Sequence, residues 1–495
     1  MTTTLPLAMA SVRARRSDPV KALTALDTRH CPTKRAMDGA AKPIRTAKMA
    51  IVTINSMSVR PLTRLRQGEL ICFKRYIAFQ NRRSFAAHLL PGKSTHPRMP
   101  SARRNPDNAA DSSPRLMTTH PNPLPAQPSQ SSLMDLALEQ AATSMFRTSP
   151  NPRVGCVIVS ASGALLGQGA TQHAGGPHAE IMALRDAAAK GNEVHGATAY
   201  VTLEPCSHHG RTGPCCDALV AAGIGKVVGA LTDPNPQVAG RGFERLRAAG
   251  VEVEVGPGAA ESRELNIGFF SRMIRGMPWV RMKAASSLDG VTALHNGKSQ
   301  WITSPEARAD GHAWRARACT ILTGIGTVLE DNPRMNVREV ETPRQPRVAV
   351  VDSRLDIPLG AHVLQAPSGC LIYTCSTDQF KIKQLQALGA TVIHMPNAAG
   401  KVDLSAMMRD LAARGTNELH VEAGFKLNGS LIREGLVDEF LLYQAPKLLG
   451  TGAMGIANFG PLDDLNKGLA LELHGVARVG PDLRIVARVE GRSAF

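Results

Sequence analysis

The sequence predicts an α/β protein built from two successive layered domains behind a basic N-terminal extension. Three observations carry this reading. Short apolar runs of strand length alternate with helical stretches from Leu133 onward. The alternation restarts once, after Arg275-Gly-Met-Pro278. Residues 1–130 sustain neither the helical period of about 3.6 nor the strand period of about 2.

Within the first series, Leu133, Leu136, Ala137 and the stretch Gln140–Ala142 form a helical stripe, and Val154-Gly-Cys-Val-Ile-Val159 is a buried strand. Strands are expected at 198–203, 226–231 and 251–255, and helices at 179–189, 216–222 and 242–249. The second series places strands at 279–285, 319–323, 348–352, 370–374, 391–394 and 419–422. Helices fall between them at 305–318, 379–388, 404–413 and 427–434. The segments 441–443, 470–474 and 484–489 read as edge strands, and no internal repeat is visible.

The chain has 495 residues, of which 43% are hydrophobic, which is enough apolar material for packed cores. No run approaches the ~18 uninterrupted apolar residues of a membrane span. The formal charge of +17 looks like a nucleic-acid signal until it is divided by region. Residues 1–130 carry 22 Lys+Arg against 6 Asp+Glu, which leaves 36 against 35 for the rest. Counterion release needs positive charge on the binding surface, so bulk charge gives the folded body no grip on a polyanion.

Three origins remain open for the extension: an upstream frame with the true start at Met117 or Met134, an Arg-rich transit peptide, or a nucleic-acid-binding arm. Its last residues, 118–132, read as a disordered Pro-rich linker. Nine cysteines are too dilute for a disulfide scaffold. A reducing, cytoplasmic compartment is expected, or an organelle if the extension is a transit peptide.

Chemistry concentrates in the first domain. His178-Ala-Glu180 opens a helix after the turn Gly175-Gly-Pro177, Glu204-Pro-Cys206 follows a strand, and Cys215 starts the next helix. One imidazole and two thiolates suit zinc and leave its fourth tetrahedral position to water, as in catalytic sites. Such water loses its proton near neutrality, and Glu180 is placed to carry that proton to a departing amine. A helix N-terminus is expected to favour the thiolate of Cys215. Read singly, His178 is a helix-capping histidine and the cysteines are buried hydrophobes; the set in register with Glu180 and Pro205 overrides that reading. Cys216 is assigned to packing, because adjacent residues rarely both face one metal, and Cys156 to the core.

His-x-Glu followed by Pro-Cys and a second cysteine is the pattern of zinc nucleobase deaminases, but here eight residues rather than two separate the cysteines. That spacing, with the neutral body, disfavours an enzyme acting on tRNA or single-stranded DNA. A non-catalytic zinc- and nucleotide-binding module would leave the His/Cys/Cys/Glu set idle. In the second domain, Thr323-Gly-Ile-Gly-Thr-Val328 lacks the third glycine of a dinucleotide fingerprint. The run Glu422–Ser430 is better suited: a carboxylate ends a strand, glycine allows close approach, and a helix N-terminus can receive a pyrophosphate.

Together Asn151–Val159, Pro177–Glu180, Tyr200–Thr212, Asp233–Gly242, Lys283, Ser287–Gly290, Ser299–Thr303, Asp331–Pro333, Val421–Gly424 and Ala445–Gly450 resemble the bifunctional riboflavin-biosynthesis deaminase/reductase family. The resemblance spans about residues 131–495. It implies a cytidine-deaminase-like three-layer domain over 131–276 and a dihydrofolate-reductase-like α/β domain over 277–495. The implied reactions are zinc-dependent deamination of a phosphoribosylaminopyrimidine and NADPH-dependent reduction of its ribosyl group. The same resemblance assigns zinc to His178, Cys206 and Cys215, proton transfer to Glu180, and pyrimidine contacts to Asn151 and His173. NADPH falls to Ala285, Trp301, Thr327, Asp331, Ser353 and the run Gly424, Phe425, Lys426, Leu427, Asn428, Gly429 and Ser430. Substrate falls to Ser299, Arg315, Met335, Arg338 and Glu422. Physically, Arg315 and Arg338 are credible phosphate forks, although an arginine on so charged a helix is commonly solvated. The expected partner is a small molecule, with no nucleic acid and no membrane, and a homo-oligomer is compatible with the sequence.

Overall fold

A computed structural model describes residues 130–208, 213–452 and 454–495. The expectations for residues 1–129 and for the tip of the loop between Cys206 and Cys215 lie outside the described residues. Among the described residues no helix is long and apolar enough to cross a membrane.

Helix α1 (Gln130–Thr143) extends into the expected linker, because Leu133, Met134, Ala137, Leu138 and Ala141 bury one face and carry its first turn into order. Strand β1 (Gly155–Val159) is buried throughout and pairs antiparallel with β2 (Leu165–Ala170). There follow α2 (Ala179–Ala189), β3 (Thr198–Val201), α3 (Cys215–Ala221), β4 (Lys226–Gly229), α4 (Arg241–Ala248) and β5 (Glu252–Val255). The sheet order is β2-β1-β3-β4-β5, with β3, β4 and β5 parallel.

β2 is absent from the sequence reading because glycines depress strand propensity. Gly167 and Gly169 are there for another reason: a Cβ on either would stand 2.3 and 2.5 Å from the Ala183 backbone, so helix α2 can lie on the strand only over glycine. Helices α5 (Ala259–Leu265) and α6 (Ile267–Arg275), also unread, close the unit. Gly276 ends α6 with φ +66, the left-handed cap that glycine supplies, and the chain enters the second sheet.

The second series runs β6 (Trp279–Ser287), α7 (Pro305–Arg317), β7 (Thr320–Gly324), α8 (Ile325–Asp331), β8 (Arg347–Val351), β9 (Cys370–Thr374), α9 (Gln379–Ala387), β10 (Thr391–His394), α10 (Leu404–Ala413), β11 (Glu418–Val421) and α11 (Phe425–Arg433). It ends with β12 (Glu439–Ala445), β13 (Leu471–Val479) and β14 (Asp482–Val489). The order β10-β9-β8-β7-β11-β6-β12-β14-β13 corrects one expectation. Of the three closing strands only β13 is an edge; β12 and β14 are interior. The Gly-Ile-Gly segment runs from the last residue of β7 into the start of α8.

Strands β7, β9 and β11 are buried on both faces, as parallel strands under helices must be. β11 inserts between β7 and β6, so the strand order reverses there. Ligands of open α/β sheets bind outside the carboxyl ends of strands at such a switch point.

Candidate active sites

His178 occupies the N-cap position of α2, yet its ring makes no capping hydrogen bond. Its Nδ1 lies 3.5 Å from Cys206 Sγ and 3.4 Å from Cys215 Sγ. All three ligand atoms fall within 4.8 Å of one another, and no other such trio of metal-ligand types occurs among the described residues. Tetrahedral zinc, with Zn–S of about 2.3 Å and Zn–N of about 2.0 Å, sets N···S separations of about 3.5 Å. The donor set therefore fits zinc in kind and spacing.

The two sulfurs divide their acidity unequally. Hydrogen bonding with Cys215, then with His178, holds the Cys206 thiol down to about 4, while the Cys206 hydrogen bond and burial push Cys215 up. At the α3 N-terminus the Cys215 amide donates to Cys206 Sγ, 3.4 Å away. Cys216 turns away, donating to the Pro205 and Gly242 carbonyls at 3.2 and 3.4 Å, and Cys156 is buried in β1.

Glu180, second residue of α2, is only 3% exposed. Burial, followed by the charge of Cys206, raises its carboxyl to about 7, the range in which one group can both take and return a proton. It lines a cavity of about 210 Å³ together with His178, Cys206, Asn151, Asp233 and Arg272. His173 is exposed and does not line it.

Asp233 and Arg272 carry no role in the sequence reading. Asp233 had a signal, since a polar Asp-Pro-Asn-Pro run directly after a strand end is where α/β sites form. Burial raises its carboxyl to about 7. Arg272 had none, because helix α6 was not recognised. Glu204, between β3 and Cys206, accepts the Asp233, Gly240 and Gly242 amides at 3.0, 2.9 and 2.7 Å, fixing the loop that brings Asp233 to the cavity.

In the second unit, parallel register gathers residues far apart in sequence. Ala285 near the end of β6, Thr327 after β7, Ser353 after β8 and Gly424 after β11 share one sheet edge, because β6, β11, β7 and β8 are adjacent and parallel. Gly424 is the exposed N-cap of α11, and a Cβ there would stand 3.6 Å from Thr327 Oγ1. The buried Thr323 Oγ1 has no protein partner at this lip. An open edge of this kind, with a helix N-terminus and an orphaned hydroxyl, fits a dinucleotide phosphate.

The other candidates separate. Phe425 is half-buried; Lys426 is exposed; Leu427 packs against the core. Asn428 and Gly429 face the chain at Ile456–Asn458: Asn428 donates to the Ile456 carbonyl at 3.0 Å, and a Cβ on Gly429 would meet the Asn458 carbonyl. Ser430 Oγ donates back to the Lys426 carbonyl at 3.3 Å. Trp301 is 63% exposed with the Arg308 guanidinium stacked on it, and Gln300 donates to Asp331 at 3.3 Å beside the half-buried Ser299. Met335 is buried in an apolar cluster, with φ +48.

Arg315 is not solvated. It holds the Glu422 carboxylate through Nε and Nη2, the latter at 2.8 Å, and donates to the Asn336 carbonyl at 3.0 Å. Burial alone would raise the Glu422 carboxyl, but Arg315 outweighs it and holds the group well below the usual range. Lys283 faces the same pair, and burial lowers its ammonium from the ordinary value. Arg338 keeps an exposed guanidinium, its backbone amide donating to His312 Nδ1 at 3.2 Å.

A zinc-type deaminase centre on one sheet and a dinucleotide-type crevice on a second define a two-site α/β enzyme. The model of the cytidine and deoxycytidylate deaminase zinc-binding region matches residues 127–231, and that of the RibD C-terminal domain matches 278–485. The riboflavin biosynthesis protein RibD of Escherichia coli is 43% identical over 71% of this chain and 96% of that protein. The chain belongs to the RibD family of riboflavin-biosynthesis enzymes, which join a deaminase to a reductase.

RibD of Aquifex aeolicus is 39% identical over 96% of its length. Among solved structures, Acinetobacter baumannii RibD aligns with a TM-score of 0.66 at 39% identity, covering 72% of this chain and 98% of that one. The Thermotoga maritima diaminohydroxyphosphoribosylaminopyrimidine deaminase/5-amino-6-(5-phosphoribosylamino)uracil reductase aligns at 0.64 and 30% identity with the same coverage.

Proposed function

We propose that residues 131–276 deaminate 2,5-diamino-6-(5-phosphoribosylamino)pyrimidin-4-one and that residues 277–495 then reduce the ribosyl group of the resulting uracil to ribityl. The observation that carries this reading is the His178, Cys206 and Cys215 trio beside buried Glu180 on the cavity wall.

His178, Cys206 and Cys215 hold the metal. Zinc, when bound, supplies the Lewis acidity that makes water a nucleophile near neutrality. Glu180 takes the proton of the attacking water and returns it to the departing amine, and its acidity near 7 suits both transfers. Asn151, which also lines the cavity, orients the pyrimidine.

In the second domain NADPH supplies hydride when bound, and the protein positions it. Ala285, Thr327, Ser353, Gly424 and the start of α11 line its phosphates and ribose, while Trp301 and Asp331 border the nicotinamide end. Arg338, with its exposed guanidinium, receives the substrate phosphate. Arg315 is spent on Glu422, and together with Ser299 that pair holds the sugar hydroxyls. Self-association is supported by Leu471, Leu473 and Val476, exposed along the unpaired edge strand β13; sedimentation of the full chain tests it.

The deciding experiment incubates the full chain with the diaminopyrimidinone phosphate and follows ammonia release and NADPH oxidation separately. Glu180→Ala is expected to abolish ammonia release while leaving reduction of supplied deaminated substrate intact. Ammonia release by that variant overturns the reading.

A further inference from the structure

One wall of the deaminase cavity, Pro150-Asn151-Pro152, is fastened to the reductase domain as well as to its own. Ahead of it, Ser149 Oγ and Cys319 Sγ are in hydrogen-bond contact at 2.6 Å, and behind it the Arg153 guanidinium donates to the Arg317 carbonyl at 3.1 Å. Between these ends a reductase side chain reaches the cavity residues themselves. Asn417, the residue before β11, donates from Nδ2 to the Pro150 carbonyl at 2.9 Å. Its Oδ1 accepts from Arg272 Nε at 2.6 Å. Arg272 lines the same cavity, and its Nη2 also reaches the Pro150 carbonyl, at 3.4 Å.

We propose that Asn417 of the reductase domain is a positioning residue for deamination: its side-chain amide locks the Pro150–Asn151 wall and the Arg272 side chain into one arrangement around the pyrimidine. This rests on the reading of the cavity as the deaminase site.

The amide is suited to the task because it must donate to a carbonyl and accept from a guanidinium at once, and an amide offers both functions from one planar group. Asn417 is 6% exposed, so water does not readily replace either bond when the side chain is removed. Its backbone is independently anchored, the carbonyl accepting from Trp279 N at 2.8 Å and the amide donating to Cys319 Sγ at 3.2 Å, so the side chain has a fixed base. Asn417 is distant from the zinc ligands in sequence and bonds none of them, so its loss leaves the reacting centre intact. A displaced wall weakens the bound substrate and the transition state alike, which raises KM and leaves kcat in place.

The test uses the full chain carrying Asn417→Ala or Asn417→Asp. The second is isosteric, keeps the acceptor for Arg272 and sets a carboxylate against the Pro150 carbonyl; it carries the test if the alanine variant does not fold. Both are expected to raise the deaminase KM about tenfold, with kcat within about twofold. Zinc stoichiometry and the reductase kcat/KM on supplied deaminated substrate stay at parental values. A deaminase KM within about twofold of the parent in the folded variants overturns the proposal, as does a parallel fall in reductase activity, which marks Asn417 as general scaffold. Glu180→Ala is the control. If it still releases ammonia, the site assignment has failed; if deamination depends on Glu180 but not on Asn417, only the positioning role has failed.

Discussion

The Arg153 guanidinium of the deaminase domain donates to the Glu418 carboxylate of the reductase domain at 2.5 Å, where both side chains are buried. Glu418 also pairs with Arg281 at 2.9 Å and Arg317 at 2.7 Å, and Arg281 continues to Glu439. Such a chain of buried charges is stable only while every member has its partners. It is one of the joints between the two catalytic units.

Removing the central carboxylate takes a buried ion-pair partner from three guanidinium groups at once. Glu418→Gln is expected to cost about 3–5 kcal/mol. It should lower the thermal midpoint and the temperature limits of both activities together. A variant that loses one activity at ordinary temperature, with an unchanged midpoint, contradicts this assignment.

The same carboxylate sets an acid limit. Burial would raise the Glu418 carboxyl, but Arg317, Arg153 and Arg281 outweigh it and hold it well below the ordinary value. A depressed folded value stabilises the protein fully above the unfolded carboxyl range near ~4.3 and is lost as pH falls through the folded value. The unfolding midpoint measured against pH should therefore hold through neutrality and fall below about pH 4. In Glu418→Gln the fall should be shallower.

The zinc trio was legible because it needs only residue types at element ends, and each element was periodic enough to be placed. What escaped is long-range. Asn417 and Pro150 are 267 positions apart and Arg153 and Glu418 are 265, and no local pattern announces such partners. β2 escaped because Gly167 and Gly169, which helix packing demands, erase the apolar alternation of a strand. The pairing of Arg315 with Glu422 escaped for a related reason: a charged helix face looks solvated until a strand end supplies its carboxylate.

Metal and hydride chemistry should separate cleanly. Cys206→Ser replaces a soft thiolate with a poor zinc ligand. It is expected to lower zinc content, read by atomic emission, far below one per chain and to abolish ammonia release. NADPH-dependent reduction of supplied deaminated substrate should continue at the parental rate, and a chelator added to the parent should reproduce that pattern. Full zinc occupancy in the variant would remove Cys206 from the ligand set.

Arg315 and Glu422 set the protonation state of the reductase site. Lysine at 315 keeps the charge but loses the planar fork that grips both carboxylate oxygens. With Arg315→Lys the carboxylate is less firmly held, so its acidity moves back toward the ordinary value and a larger fraction is protonated at mildly acid pH. The acid limb of the reductase kcat/KM profile should then shift to higher pH, and the plateau should fall about tenfold or more. Deamination should be unaffected, because neither residue lines the deaminase cavity. Should the acid limb stay in place while the plateau falls, Arg315 acts on the substrate directly, and Glu422 is held ionised by His420 and Lys283 instead.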